Sequence, residues 1–363
     1  MNGTITIGGR TIGKGQPVYI VAELSGNHGR DKARAKKIIA NMKEAGADAV
    51  KFQTYTPDTI TLRCDNAFFT DCLKGTVWEG RSLYDLYTEA SMPWEWQPEL
   101  KEYAESLGMH CFSTAFDATS VDFLETMDVP AHKVASFELV HLPLIRRIAA
   151  TGKPMLLSTG MATQEEIAEA IAAAKGAGAG DIALLKCTSA YPARIEDANL
   201  CTIPAMAEDF GIPVGLSDHS LGTSVPCTAI TVGACIVEKH FTLDRERDGG
   251  PDSAFSLEPQ EFRAMVNAVR AAERDPSSTS VDPAALGTMH YGTTQGDRKS
   301  LVFRPSIFVV EDVAAGEAFT RRNVRIIRPG YGLPPRDFDR VLGCTAKQSL
   351  QRGTPLSEEL LAA

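Results

Sequence analysis

No run in this 363-residue chain approaches the ~18 consecutive apolar residues of a membrane-spanning helix. The opening Met1-Asn2-Gly3-Thr4-Ile5-Thr6 has no basic segment leading into an apolar one, so no secretory leader is expected. The eight cysteines (Cys64, Cys72, Cys111, Cys187, Cys201, Cys227, Cys235 and Cys344) make no Cys-x-x-Cys pair and no tight framework. Free thiols in a cytoplasmic protein are therefore expected. Basic residues are outnumbered, 37 lysines and arginines against 46 acids. The resulting charge of −9 argues against nucleic acid or an anionic membrane as partner. It leaves an anionic substrate open, because a few local lysines can override the global sign. The first apolar strand is followed by no Gly-x-Gly-x-x-Gly, which counts against a dinucleotide fold.

What is present is a regular alternation. Strand-like runs fall at residues 18–23, 49–55, 111–115, 132–136, 155–159, 182–188, 214–218 and 235–241. Amphipathic helical segments follow at 31–45, 99–107, 120–127, 142–150, 164–175, 203–209, 224–233 and 259–273. Eight βα units in about 270 residues match a (β/α)8 barrel, with a doubly wound open sheet as the rival. A Gly8-Gly9 turn reads as a small hairpin in front of the first strand. One connection is too long: residues 58–98 hold Trp78, Tyr84, Tyr87, Trp94 and Trp96, hence all three tryptophans. Long βα loops at a barrel's catalytic face usually shape substrate binding. The predicted organisation is a barrel domain over 1–274, a polar linker over 275–299 and a small, mostly β domain over 300–363.

Barrel active sites sit at the C-terminal ends of the strands. The polar residues there are Glu23 with Asn27 and His28; Lys51, Gln53 and Tyr55, which share a face by their spacing of two; Thr114; Lys133, Ser136 and Glu138; Ser158; Lys186, Thr188, Ser189 and Tyr191; and Ser217, Asp218, His219, Glu238 and His240. Lysines are rarely buried without a reason. Lys51, Lys133 and Lys186 lie inside apolar strands, so three lysines converging on one mouth predict a phosphate or carboxylate ligand. A Schiff-base lysine is the competing role. His219 and His240 end adjacent strands, where two imidazoles can hold one divalent ion and leave open positions for water and substrate. Manganese or magnesium suits such a site. Each histidine alone would read as a satisfied structural imidazole. Glu238 and His240 share parity, which turns Lys239 toward the helices, an odd place for a lysine.

These residues resemble the sialic acid synthase family over essentially the whole chain. The likeness is carried by Ala22-Glu23-Leu24-Ser25-Gly26-Asn27-His28, by Lys51-Phe52-Gln53-Thr54-Tyr55, by Ser158-Thr159-Gly160-Met161, by Tyr191-Pro192, by Gly215-Leu216-Ser217-Asp218-His219 and by Glu238-Lys239-His240-Phe241. The C-terminal part, with Arg328-Pro329-Gly330, is similar to the antifreeze-like (SAF) domain attached to these synthases. Leu83-Tyr84-Asp85-Leu86-Tyr87, Pro93-Trp94-Glu95-Trp96 and Lys133-Val134-Ala135-Ser136-Phe137-Glu138 resemble the pseudaminic acid branch. The N-acetylneuraminate branch tends to carry asparagine where Ser189 stands.

The resemblance implies condensation of phosphoenolpyruvate with an open-chain 2,4-diacetamido-2,4,6-trideoxy hexose. N-acetylmannosamine or the legionaminic acid precursor are the alternative sugars. It implies a divalent ion on His219 and His240, and catalytic roles for Glu23, Lys51, Lys133 and Glu138. It implies substrate contacts for Gln53, Tyr55, Thr114, Ser136, Lys186, Ser189, Tyr191, Ser217 and Asp252. It also implies a domain-swapped homodimer in which a small-domain arginine, here Arg328, reaches the sugar. Arg304 departs by one position from the family pattern and is not carried over. The reading from another class is a non-catalytic carbohydrate- or ice-binding protein, against which the full set of polar strand ends stands.

Overall fold

The computed structural model describes residues 3–362, the side chain of Ser278 apart. Two short strands, β1 (Thr4–Ile7) and β2 (Arg10–Gly13), form the expected hairpin. Gly8 and Gly9 both adopt positive φ, 54° and 81°, which a tight hairpin turn of this length demands. The hairpin buries Ile5, Ile7 and Ile12 against the N-terminal end of the barrel. Its Thr6 N–H donates to Asp181, just ahead of a barrel strand.

Eight parallel strands then close on themselves: β3 (Tyr19–Glu23), β4 (Ala49–Thr54), β5 (His110–Ala115), β6 (His132–Val134), β7 (Met155–Ser158), β8 (Ile182–Cys187), β9 (Val214–Asp218) and β10 (Ile236–His240), with β10 paired to β3. The closed barrel replaces the open-sheet rival. Nearly every strand residue is buried, because one face packs into the barrel and the other against the helices. Several of the intervening helices begin at a side-chain cap. Asp31 accepts from the N–H groups of Ala33 and Arg34 ahead of helix Lys32–Ala45, and Thr163 with Glu166 makes a capping box on helix Gln164–Gly176. Each cap stands next to an apolar period, which is why the sequence placed these helices to within a few residues.

The long connection after β4 contains three short helices, Pro57–Ile60, Ala67–Thr70 and Leu83–Ala90, and a 3-10 turn at Trp94–Trp96. Part of it is an interdomain filler: Leu62 and Phe69 pack with Phe308, Val310 and Ile327 of the C-terminal domain. The segment read as a polar linker is a strap bound to the barrel. Leu200 and Cys201 donate their N–H groups to Ala285 and Leu286 of its helix Pro283–Leu286, and Gly292 donates to Ala162.

The C-terminal domain is built on the antiparallel pair β11 (Ser306–Val309) and β12 (Val324–Ile327) around Ile307, Val309, Phe319, Val324 and Phe338. It lies over the C-terminal mouth of its own barrel. Arg328 N–H donates to Ile60 O at 2.9 Å, Thr61 Oγ1 donates to Arg328 O at 2.9 Å, and Arg304 pairs with Glu166 at 2.8 Å.

Candidate active site

The mouth holds a cavity of about 850 Å³, part of it open to solvent. Its floor is polar. Lys51 Nζ lies 2.7 Å from Glu23 Oε1, 3.2 Å from Thr114 Oγ1 and 3.6 Å from Glu238 Oε1. Lys133 Nζ donates to Ser158 Oγ at 2.7 Å and stands 3.7 Å from the same Glu238 oxygen. Two ammonium groups thus straddle one carboxylate, and Ser217 Oγ donates to that oxygen at 2.9 Å. All these side chains are at most 4% exposed. Burial alone would push the Glu23 carboxyl up, but the His240 ring and the Lys51 ammonium outweigh it and hold it well below the usual range. Burial likewise opposes the charge on Lys51, yet Glu23 and Glu238 keep its affinity for a proton above that of a free lysine. On Lys133 burial wins over Glu238, and the ammonium is easier to deprotonate than normal.

The two histidines meet beside this floor, with ring centroids 5.2 Å apart. His219 Nδ1 lies 2.9 Å from Thr188 O. A carbonyl only accepts, so Nδ1 carries the proton and the Nε2 lone pair is free. His240 Nε2 lies 3.1 Å from Glu23 Oε2, and its Nδ1 lies 3.2 Å from Ser25 Oγ. Two donors each roughly 2.1 Å from one ion subtend about 3 Å at a right angle, so His240 and Glu23 stand at ligand spacing. Among the described residues no three His, Cys, Asp or Glu side chains form a ready-made metal cage. The free Nε2 lone pair of His219 and the Glu23 carboxylate beside His240 are donors that an open divalent site would use.

The upper wall is aromatic. Tyr191 packs on His219 with centroids 4.7 Å apart, and Trp78, Phe137 and Phe303 continue outward from it at 5.4–6.3 Å spacings. Tyr55 stands edge-on to Phe116 and Tyr87 at 5.0 and 5.7 Å. The cap closes this wall with Arg328. Its guanidinium donates to Glu138 Oε1 at 2.6 and 3.1 Å and to Tyr87 Oη at 3.0 Å, and lies 4.7 Å from the Phe137 ring centroid.

Of the residues singled out in the sequence, Glu23, Lys51, Gln53, Tyr55, Thr114, Lys133, Ser136, Tyr191, Ser217, His219, His240, Asp252 and Arg328 line this one cavity. Glu138 does not line it, because its carboxylate is taken up by Arg328. Lys186 and Ser189 also lie off the lining. Cys187 holds the inward position on β8, so Lys186 is out of phase by one, and its ammonium bonds Cys187 O at 3.3 Å. The lysines at the cavity wall are thus two, not three. Ser189 and Ser136 crowd Gly160 instead: a Cβ there would lie 2.3 and 2.8 Å from their hydroxyls. Of the tryptophans only Trp78 reaches the cavity; Trp94 stacks on Phe123 and Trp96 meets His28. Cys187, Phe255 and Phe303 line it without having been singled out, and Glu238, named at its strand end but given no role, lines it too. For Glu238 the signal was available in its parity with His240. Phe303 comes from beyond the strap, where no sequence period points to the barrel.

The comparisons agree with this geometry. Residues 38–279 match the model of the NeuB family and residues 304–362 that of the SAF domain. The chain is 42% identical to the pseudaminic acid synthase of Helicobacter pylori, covering 95% of this chain and 98% of that one. It is 34% identical to the N,N'-diacetyllegionaminic acid synthase of Legionella pneumophila, covering 97% and 96%. The crystal structure of the spore coat polysaccharide biosynthesis protein SpsE of Bacillus subtilis superposes with a TM-score of 0.86 at 32% identity, covering 99% of both chains.

Proposed function

Because the chain belongs to the NeuB family, we propose that it is a synthase joining phosphoenolpyruvate to 2,4-diacetamido-2,4,6-trideoxy-L-altrose in its open-chain form. Carbon 3 of phosphoenolpyruvate bonds to the aldehyde carbon of the sugar. Water adds its oxygen to carbon 2, the bond from carbon 2 to the phosphate oxygen breaks, and phosphate leaves. The product is the nine-carbon 2-keto acid, pseudaminic acid. The observation that carries this reading is one cavity with two unlike halves, a floor of buried ammonium and hydroxyl groups beside paired imidazoles, and an aromatic wall above them. The floor suits a small polyanion and the wall suits a sugar that presents acetamido methyl groups and a deoxy carbon.

Lys51 and Lys133 hold phosphate and carboxylate oxygens, with Thr114, Ser136 and Ser217 as hydroxyl donors. Glu23, kept ionised, accepts a proton or a hydrogen bond from the attacking water. Gln53, which donates to Glu23 Oε1 at 2.7 Å, fixes that carboxylate. Tyr55, Tyr191 and Asp252 face the sugar, and Arg328 with its partner Glu138 closes over it. Lys186 and Ser189 stand behind the wall, the first bonded to Cys187 O and the second packed beside Gly160. A manganese or magnesium ion on His219 and His240 would supply a Lewis acid for the carbonyl oxygen of the sugar. Arg328 meets Glu138 within the chain; in a domain-swapped homodimer, the arrangement the family resemblance implies, the partner's cap would supply the same arginine. No described helix is long and apolar enough to cross a membrane, and all eight thiols are free, which supports a cytoplasmic setting.

A sugar panel tests the reading. Purified protein with phosphoenolpyruvate is expected to release phosphate with the altrose derivative. A chelator should stop the release, and added manganese or magnesium should restore it. Turnover of N-acetylmannosamine or the legionaminic acid precursor alone would refute the sugar assigned. Sugar binding with no phosphate release from any member would favour a binding protein.

A further inference from the structure

Lys239 is a buried charge that does not line the cavity. It is fully buried on β10, between Glu238 and His240, which both line the cavity. Alternation along the strand puts its side chain on the outer, helix-facing side of the barrel wall. There it meets Asp218, its register partner on β9, with Nζ 2.5 Å from Oδ2. The same ammonium donates to Ser220 O. Asp218 Oδ1 in turn accepts from the Ser220 N–H at 2.9 Å and its hydroxyl at 2.8 Å. The backbone on both sides of His219 is therefore tied, from behind the wall, to the residue next to His240.

An ion pair this deep is a poor stability device. Removing two charges from water costs several kcal/mol, and a well-packed apolar pair at the same place would hold the strands as well or better. What the ionic pair adds is geometry. The charged contact is short and directional, and fixes the relative height of β9 and β10 and the exit angle of the chain after Asp218. Those two variables set how far apart the imidazoles of His219 and His240 stand.

We infer that Lys239 and Asp218 are positioning residues that hold His219 and His240 at the spacing for one divalent ion. The inference rests on the metal reading of that histidine pair. The experiment is a manganese titration followed by the paramagnetic signal of the free ion, on the full-length protein and three variants. Asp218→Leu combined with Lys239→Met removes both charges together but leaves the buried Ser220 N–H, hydroxyl and carbonyl without these partners, so it is expected to stay folded and melt below the parent. Its manganese affinity is expected to fall roughly 10- to 100-fold, in the range seen when groups supporting metal ligands are lost. Asp218→Asn keeps the shape and is expected to weaken the ion in the same sense. Lys239→Met alone strands Asp218 and should lower the melting temperature as well. In the folded variants the KM for phosphoenolpyruvate at saturating manganese should stay near the parent value. Parent-like manganese affinity in a folded double variant and in Asp218→Asn would overturn the inference alone. A parent protein that takes up no manganese would overturn the metal reading and this inference with it.

Discussion

At the scale of single residues, function depends on which burial penalties are offset and which are not. Lys51 and Lys133 are equally buried neighbours of Glu238, yet only Lys51 also has Glu23 at 2.7 Å. The unequal pairing shifts their proton affinities in opposite directions, with burial dominant on Lys133. An ammonium binds an anion only while protonated. The kcat/KM for phosphoenolpyruvate, which reports groups of the free enzyme, should hold at neutral pH and fall as pH rises through the depressed Lys133 value. That fall is expected below the ~10.4 of an ordinary lysine. Lys133→Arg keeps a permanent charge and should retain a weaker but flat profile over the same range. An identical alkaline fall in that variant would remove Lys133 from the phosphoenolpyruvate site.

At the scale of elements, the cap is fastened to the barrel by a few discrete contacts. Arg304 bonds both carboxylate oxygens of Glu166, at 2.8 and 2.9 Å, and Met161 O at 3.1 Å. Burial would raise the Glu166 carboxyl, but Arg304 outweighs it and holds it below the usual range. A depressed carboxylate contributes stability that is complete above its unfolded value, near ~4.3, and lost as pH falls through the folded value. Acid should therefore loosen the cap edge before the barrel unfolds. Trp78 reports it, since it packs on Phe303 next to Arg304 at 5.4 Å between centroids. With Trp94 and Trp96 replaced by Phe, Trp78 emission should shift red in acid. In Glu166→Gln the shifted emission should already be present at neutral pH, with no acid step; an unchanged acid step would refute the role. Elements such as helix Gln164–Gly176 were legible in the sequence because the cap, the apolar period and the strand before it are all local. The strap was not: residues 275–299 are polar and turn-rich, and its attachment runs through backbone groups of Leu200, Cys201 and Ala162 and scattered side chains such as Thr202 and Asn199, which no composition reveals. Lys186 misled for the reverse reason, as a lysine in an apolar strand reads alike whichever side of the wall it faces.

At the scale of the whole molecule, barrel, long β4–β5 connection and cap make one site, with Phe69 against Phe308 fixing the middle layer between the other two. Each Phe buried this way contributes about 1.5–3 kcal/mol, enough to keep the cap seated. Here Arg328 meets Glu138 of its own barrel. In a domain-swapped homodimer, mixing an inactive-barrel variant, His219→Ala, with a cap variant, Arg328→Ala, should restore activity; no rescue would seat each cap on its own barrel. The mechanism proposed for this cavity breaks the bond between carbon 2 and the phosphate oxygen. Phosphoenolpyruvate labelled with heavy oxygen in the bridge between carbon 2 and phosphorus follows that bond through a single turnover with the altrose derivative. The label should leave with phosphate, and a nine-carbon keto acid should form with its new oxygen drawn from water. Label retained in the keto acid would mean that the phosphorus–oxygen bond is cleaved, and would contradict the mechanism assigned to this site.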